Sequence, residues 1–340
     1  MRPFTYERAT RTYDALRAAA LDYAGAEAQV RSPVQYLAGG TNLLDLMKLD
    51  VMRPRRLIDI NALVSEHGQI QADETSLKLG AMVRMSEAAE HPAVRRDYPA
   101  IHDALRLAAS AQLRNMATLA GNVLQRTRCN YFRDVSWACN KRDPASGCSA
   151  KEGVNRRLAV LGVSEHCIAN YPGDLGHVLA AFDARVQVLG LDGSSRTLRF
   201  EDLHVLPGDM PHRETTLAPG DLITRFDVPA GPWTRRSLYV KVRDRESYEF
   251  ALASAVVGLD MRESVVHEAR IGLGGLTAKP WRSREAEAVL QGRTLDESAA
   301  QQAAAAAFAQ SVVHTETGFK PELGRRTLVR ALLHAAMMDV

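Results

Sequence analysis

At 340 residues, with 46% hydrophobic and 24% charged positions, the chain is long enough for two or three domains and has the balance of a globular protein. A formal net charge of +3, evenly spread, excludes the concentrated basic surface that nucleic-acid binding requires. No stretch approaches about 18 uninterrupted apolar residues and the opening MRPFTYERATRTYDAL has no apolar h-region, so the expectation is a chain without a membrane span or export signal of its own, folded in the cytoplasm.

In chain order, residues 4–7 read as a strand and residues 12–24 as an amphipathic helix with Tyr13, Leu16, Ala20 and Leu21 turned inward. Next comes VQYLAGGTNLLDLMKLD, in which residues 34–38 form a buried strand, Gly39 and Gly40 a turn, and Thr41 and Asn42 the cap of a helix beginning near Leu43. Such a turn presents backbone N–H groups at the positive end of a helix, which suits a pyrophosphate, and it equally suits an ordinary strand-to-helix connection. Short strands follow at 56–60, 69–72 and 76–80, then helices at 85–90 and 100–109. Residues 117–122, ATLAGN, form a second small-residue loop that lets backbone approach a ligand or a neighbouring strand, with Thr118 and Asn122 able to hydrogen-bond.

All four cysteines, Cys129, Cys139, Cys148 and Cys167, lie in the stretch from Gln112 to Asp174, with intervening gaps of nine, eight and eighteen residues. Four soft thiolates match the ligand count of zinc or of an iron–sulfur cluster. The wide gaps lack the C-x2-4-C knuckle of most zinc sites, and four buried inert thiols fit the spacing too, so the residues alone leave three readings open. The polar and basic neighbours argue for reduced thiols over disulfides.

Beyond Asp174, a helix at 174–181 precedes a hairpin of strands 185–189 and 195–199 around Asp192 and Gly193, and a strand at 222–228 ends at Pro229. The Pro229–Pro232 segment is the clearest linker. A strand at 237–243, a mostly apolar segment at 250–261, a strand at 268–273, a Gly274–Gly275 turn and helices at 283–290, 297–312 and 323–337 complete the chain; Phe308 and Val312 are expected on one face of the alanine-rich helix. HExxH, P-loop, CxxC and Rossmann signatures are all missing.

The motifs YLAGGTNLLDL, ATLAGN, YPGDL, YVKVRDRESYEFALASA and IGLGGLTAKPWRSREAE occur in the order found in flavoprotein subunits of the xanthine dehydrogenase and carbon monoxide dehydrogenase family, which the chain resembles over essentially its whole length. RTRCNYFRD, CNKRDPASGC and SEHCIA resemble, more narrowly, the FAD subunits of periplasmic aldehyde oxidoreductases, which carry an extra [4Fe-4S] cluster in an insert that most relatives lack. The resemblance implies an α+β, PCMH-type (CO dehydrogenase flavoprotein-like) FAD-binding fold at 1–229, with subdomains at about 1–55 and 56–229 and a cluster-binding insert at about 125–170, followed by a C-terminal α+β domain at 234–340.

By position, the resemblance places FAD contacts on Leu37, Ala38, Gly39, Gly40, Thr41, Asn42 and Leu43, on Thr118, Gly121 and Asn122, on Asp174 at the ribose side, and on Ile223 and Lys241 near the flavin ring, and it makes Cys129, Cys139, Cys148 and Cys167 the cluster ligands. The chain departs from relatives at Ala120, where glycine is common, and at Ala108, where some members place an aromatic against the flavin. It also implies an electron-transfer subunit, inactive alone, of an enzyme oxidising an aldehyde to a carboxylic acid. The partners would be a large molybdenum-cofactor subunit, a small subunit with [2Fe-2S] clusters and an external acceptor other than a nicotinamide, in the cytoplasm, or in the periplasm if exported with a signal-bearing partner. A stand-alone flavin oxidase and a non-catalytic, cluster-stabilised scaffold are the rival readings.

Overall fold

The structure is a computed structural model that describes residues 1–20 and 29–340. Three parallel strands open the chain: β3 (Arg56–Asp59) lies between β1 (Thr5–Arg8) and β2 (Val34–Leu37). Helix α1 (Thr12–Ala20) covers this sheet through Thr12, Ala15, Leu16 and Ala19, a spacing of three and four residues that defines one helical face. Tyr13 and Ala20 are exposed, contrary to the expected inward set, and Leu21 to Ala24 lie outside the described residues. The rotation of the helix is fixed at its first residue, where the Thr12 hydroxyl donates to the Glu66 carboxylate at 2.6 Å, and small alanines then permit close approach to the sheet. A lobe boundary at residue 55 would cut just before the central strand, so residues 56–59 belong with the first lobe.

Helix α2 (Leu43–Lys48) follows the Gly39–Gly40 turn, and α3 (Val64–His67) follows β3. The second sheet is antiparallel in the order β4 (Ile70–Ala72), β5 (Ser76–Gly80), β8 (Leu222–Pro229), β6 (Arg185–Leu189), β7 (Ser195–Arg199), and it contains the expected hairpin with Gly193 at φ +80°. Between its strands run α4 (Met85–Glu90), α5 (Pro92–Asp97), α6 (Pro99–Leu107), α7 (Ala111–Met116), α8 (Leu119–Val123), α9 (Asn130–Arg133) and α10 (Leu175–Ala181). Pro92 and Pro99 occupy first-turn positions of α5 and α6, where a missing N–H costs nothing. Residues 117–122 are not the loop that small residues predicted: the Thr118 hydroxyl accepts from Gly121 N at 3.2 Å and caps α8.

The Pro229–Pro232 segment separates β8 from a four-stranded antiparallel sheet ordered β12 (Trp281–Arg282), β11 (Val265–Gly274), β10 (Ala253–Arg262), β9 (Ser237–Val242). Helix α11 (Pro232–Arg235) contacts β10 and β11, while α12 (Arg284–Leu290), α13 (Glu297–Ala307) and α14 (Lys320–Ala336) bury Leu259, Ile271, Leu273, Leu328 and Leu332 on this sheet. Helix α13 stops at Ala307, short of the expected residue 312. Phe308 is buried, Val312 is half exposed, and Val312 N donates to Val160 O at 2.8 Å, so the chain leaves the helix to bond the cysteine-bearing segment. No helix among the described residues is long and apolar enough to cross a membrane.

The Phe308 ring lies where a Cβ on Gly324 would collide with it, so α13 and α14 meet through that ring. Phe308→Ala is expected to cost about 3–5 kcal/mol in urea unfolding, and a cost below about 1 kcal/mol would contradict this packing.

Candidate cofactor site and four-cysteine pocket

A cavity of about 600 Å³ opens where the first sheet, the second sheet, the segment after α8 and residues 204–223 meet. That volume falls within the roughly 300–1,000 Å³ typical of ligand sites. Of the predicted contacts, Ala38, Gly39, Gly40, Thr41, Asn42, Leu43, Thr118, Gly121 and Ile223 line it. Leu37, Asn122, Asp174 and Lys241 do not form part of its wall.

Two glycines make the wall possible for different reasons. Gly40 sits at φ +74°, a left-handed conformation that side chains disfavour. Gly39 is pressed against α7, and a Cβ there would fall far inside van der Waals distance of the Met116 carbonyl. The expected Asn42 cap is absent: Asn42 Oδ1 accepts from Arg126 N at 3.2 Å instead, and its Nδ2 is buried with no partner. Asn122 Oδ1 is likewise buried and unpartnered. Buried amide atoms without partners are costly, and these two flank the glycine loops. The cavity volume and the unpaired Asn42 amide in its wall fit a large polar group such as a dinucleotide.

Asp174 and Lys241 are committed to each other. Lys241 Nζ donates to Asp174 Oδ2 at 2.8 Å and to Leu107 O at 3.1 Å, and the Tyr239 hydroxyl donates to Asp174 Oδ1 at 2.5 Å. Both side chains of the ion pair are buried, so the charge of Lys241 is already met by Asp174. Burial and the Asp174 carboxylate push the Tyr239 phenol well above the ordinary range. The small Ala108 is buried in the core beside this group.

The four cysteines form no disulfide and line one small pocket together with Tyr131, Phe132 and Ala150. Cys139 and Cys148 face each other as an isolated antiparallel bridge. Backbone N–H groups of Tyr131 and Phe132 point at the Cys129 sulfur, those of Lys141 and Arg142 at Cys139, and that of Ala169 at Cys167. Donors two and three residues downstream of a sulfur favour its thiolate form. Burial opposes them, pushing the Cys129 thiol up to about 12 and raising Cys139 and Cys167. Neutral buried thiols would leave those donors poorly used, whereas metal coordination supplies the missing positive charge. No three His, Cys, Asp or Glu side chains among the described residues are arranged to hold a single ion. Four sulfur donors around one pocket match the ligand number of an iron–sulfur cluster.

The pocket and the cavity adjoin. Lys141, Cys167 and Ala169 line both. The apolar side of α2, Leu46 and Met47, packs in one core with Cys129, Phe132, Cys139 and Cys167. On its polar side, Asp45 accepts from Arg128 at 2.7 Å and from Arg133 at 2.6 Å. Burial raises the Asp45 carboxyl, but the two guanidinium groups outweigh it and hold it below the usual range. The segment is also bonded to the last sheet, for Val160 N and Leu161 N donate to Leu276 O at 2.8 and 3.0 Å. Sequence reading missed Arg126, Lys141 and Glu214. Arg126 and Lys141 stand among the basic residues beside the cysteines, while Glu214 carries no local signal and is brought in only by the 204–223 segment.

Two family models divide the chain: the FAD binding domain in molybdopterin dehydrogenase matches residues 4–231, and the CO dehydrogenase flavoprotein C-terminal domain matches residues 238–340. The fold and its cavity thus define a flavoprotein subunit of the molybdenum hydroxylase class. The chain belongs to the family of FAD-binding medium subunits of molybdopterin dehydrogenases. It is 42% identical over 335 residues to the aldehyde oxidoreductase FAD-binding subunit PaoB of Escherichia coli, covering 98% of this chain and 99% of that one. The glyceraldehyde dehydrogenase medium chain of Sulfolobus acidocaldarius is 25% identical over 77% of this chain and 74% of its own. Among solved structures, quinoline 2-oxidoreductase from Pseudomonas putida 86 superposes with a TM-score of 0.74 over 98% of this chain and 97% of that one, at 22% identity, which speaks for the fold.

Cavity chemistry also sets an acid limit on stability. His204 lines the cavity, faces Lys279, Lys141 and Glu214, and is lowered by burial from 6.5 to about 4. The unfolded chain therefore binds a proton that the folded chain refuses, so stability is complete above pH 6.5 and falls as pH drops towards 4. His204→Gln is expected to lose on the order of 3 kcal/mol less than the parent over that window in urea titrations at stepped pH. Parallel curves would contradict the assignment.

Proposed function

We propose that this chain is the FAD- and [4Fe-4S]-containing electron-transfer subunit of a molybdenum-dependent aldehyde oxidoreductase. The supporting observation is the shared wall: four thiols around one pocket, and Lys141, Cys167 and Ala169 common to that pocket and the large cavity. The name and near-full coverage of the Escherichia coli relative support the aldehyde class. By the same likeness, the partners are a large molybdenum-cofactor subunit and a small [2Fe-2S] subunit, and an external acceptor receives the electrons.

Backbone N–H groups along Gly39, Gly40, Thr41 and Asn42 bind the diphosphate of FAD, in a turn whose shape depends on the close contact of Gly39 with the Met116 carbonyl and on the left-handed conformation of Gly40. The unpartnered amide nitrogen of Asn42 turns to polar groups of the cofactor, with Thr118 and Gly121 at the start of α8 and Ala38, Leu43 and Ile223 bounding the cavity, while Leu37 and Asn122 support these segments from outside its wall. Asp174 and Lys241 act from behind as a preformed pair that fixes the Leu107 to Ala108 backbone beside the site. Bound FAD would supply the redox chemistry that passes electrons to the acceptor, and Cys129, Cys139, Cys148 and Cys167 would hold the iron–sulfur group.

Two variants separate the two sites. Gly40→Val is expected to weaken FAD retention by roughly tenfold or more while iron content stays at the parental level. Cys148→Ser is expected to lose iron first, with FAD retained and the 125–170 segment becoming sensitive to protease, since that segment is rich in turns and charge and has little regular secondary structure of its own. Stoichiometric FAD in a folded Gly40→Val chain would reject the loop, and full iron in Cys148→Ser would reject that ligand.

A further inference from the structure

Three charged side chains meet in the wall between the two sites. Glu214 accepts from Arg126 Nε at 2.5 Å and lies 3.3 Å from Lys141 Nζ, and the side chains of Arg126, Lys141 and Glu214 are only 6%, 11% and 16% exposed. Lys141 Nζ also donates to Pro211 O at 3.1 Å, and the Arg126 guanidinium stacks 4.9 Å above the Phe132 ring. Two cations thus share one carboxylate. A buried charge in excess is expensive unless an opposite charge stands nearby. Glu214 is already divided between two partners, so the remaining positive charge needs an anion from outside the group. Arg126 faces the large cavity alone, whereas Lys141 lies on the wall with Cys167 and also belongs to the lining of the four-thiol pocket, which places its charge toward the thiols.

We infer that Lys141 is a buried counter-cation of the four-cysteine centre and raises its reduction potential, with Glu214 offsetting part of that effect through its pairing with Lys141 and Arg126. The inference rests on the cluster reading above. A cluster held by four thiolates is a net anion, so adding an electron to it is opposed by like charge, and a fixed cation in a dry wall relieves that opposition. Lys141 is therefore a positioning and tuning residue, whose signature is a potential and not a turnover number.

The test is a dithionite titration of the purified chain followed by electron paramagnetic resonance, with iron counted in parallel, for the parent, Lys141→Met and Glu214→Gln. Lys141→Met removes the cation at similar length and is expected to shift the reduction equilibrium at least tenfold towards the oxidised centre, about 59 mV lower for one electron. Glu214→Gln, which preserves shape, is expected to move the potential the other way. Lys141→Arg should keep the parental value, separating charge from packing. Unchanged potentials, or shifts of the same sign in Lys141→Met and Glu214→Gln, would overturn the inference while leaving the cluster in place. If Lys141→Met does not fold, a Glu214→Gln potential equal to or below the parent's overturns it by itself. A parent chain that binds no iron would overturn the cluster reading, and this inference with it.

Discussion

The cavity exists because two backbone segments touch with no side chain between them. Gly39, at the end of the first sheet, lies against the Met116 carbonyl at the end of α7, and Gly40 turns the chain through a left-handed conformation into α2. Any Cβ at Gly39 would push the first lobe away from the second and widen the joint that the cavity occupies. The other contacts follow from that join. Asn42 reaches across it to Arg126, Arg84 reaches across it to Asn61 at 2.9 Å, and Tyr36 closes the far side by donating to Gly220 O at 2.9 Å.

A second dependence runs through α2. This short helix is too brief to be stable by itself, and its order comes from what it packs on. One side, Leu46 and Met47, is buried with three of the four cysteines, and the other holds Arg128 and Arg133 through Asp45. The cysteine-bearing segment is therefore built into the support of the glycine loop, and the bonds from Val160 and Leu161 to Leu276 tie it to the last sheet as well. A disturbance at the thiols has a direct physical route to the cavity wall, through side chains in contact.

Much of the fold was legible because its signals are local. The Asp192–Gly193 turn, Pro229 at the end of β8 and the apolar periodicity of strands such as β5 and β6 act within a few residues, and the elements expected from them are present with ends shifted by a residue or a few. The errors arise where a distant contact overrules a local preference. Tyr13 turns outward because Thr12 is anchored to Glu66, Asn42 forgoes its cap to bond Arg126, and α13 ends early because Val312 bonds Val160. The glycine loops and the cysteines could be picked out as a site from residue type and order. The mutual pairing of Asp174 with Lys241, and the Glu214 bridge between Arg126 and Lys141, could not, since each joins residues far apart in sequence.

The central claim is that one chain holds a flavin and an iron–sulfur group on two sides of a shared wall. The most direct measurement is the visible absorption spectrum of the purified parent chain, with flavin released by acid and iron and sulfide quantified on the same sample. The account predicts about one FAD and about four irons with matching sulfide per chain, with flavin bands superimposed on broad charge-transfer absorption. Flavin bands without iron would contradict the four-cysteine centre, and iron without flavin would contradict the cavity assignment.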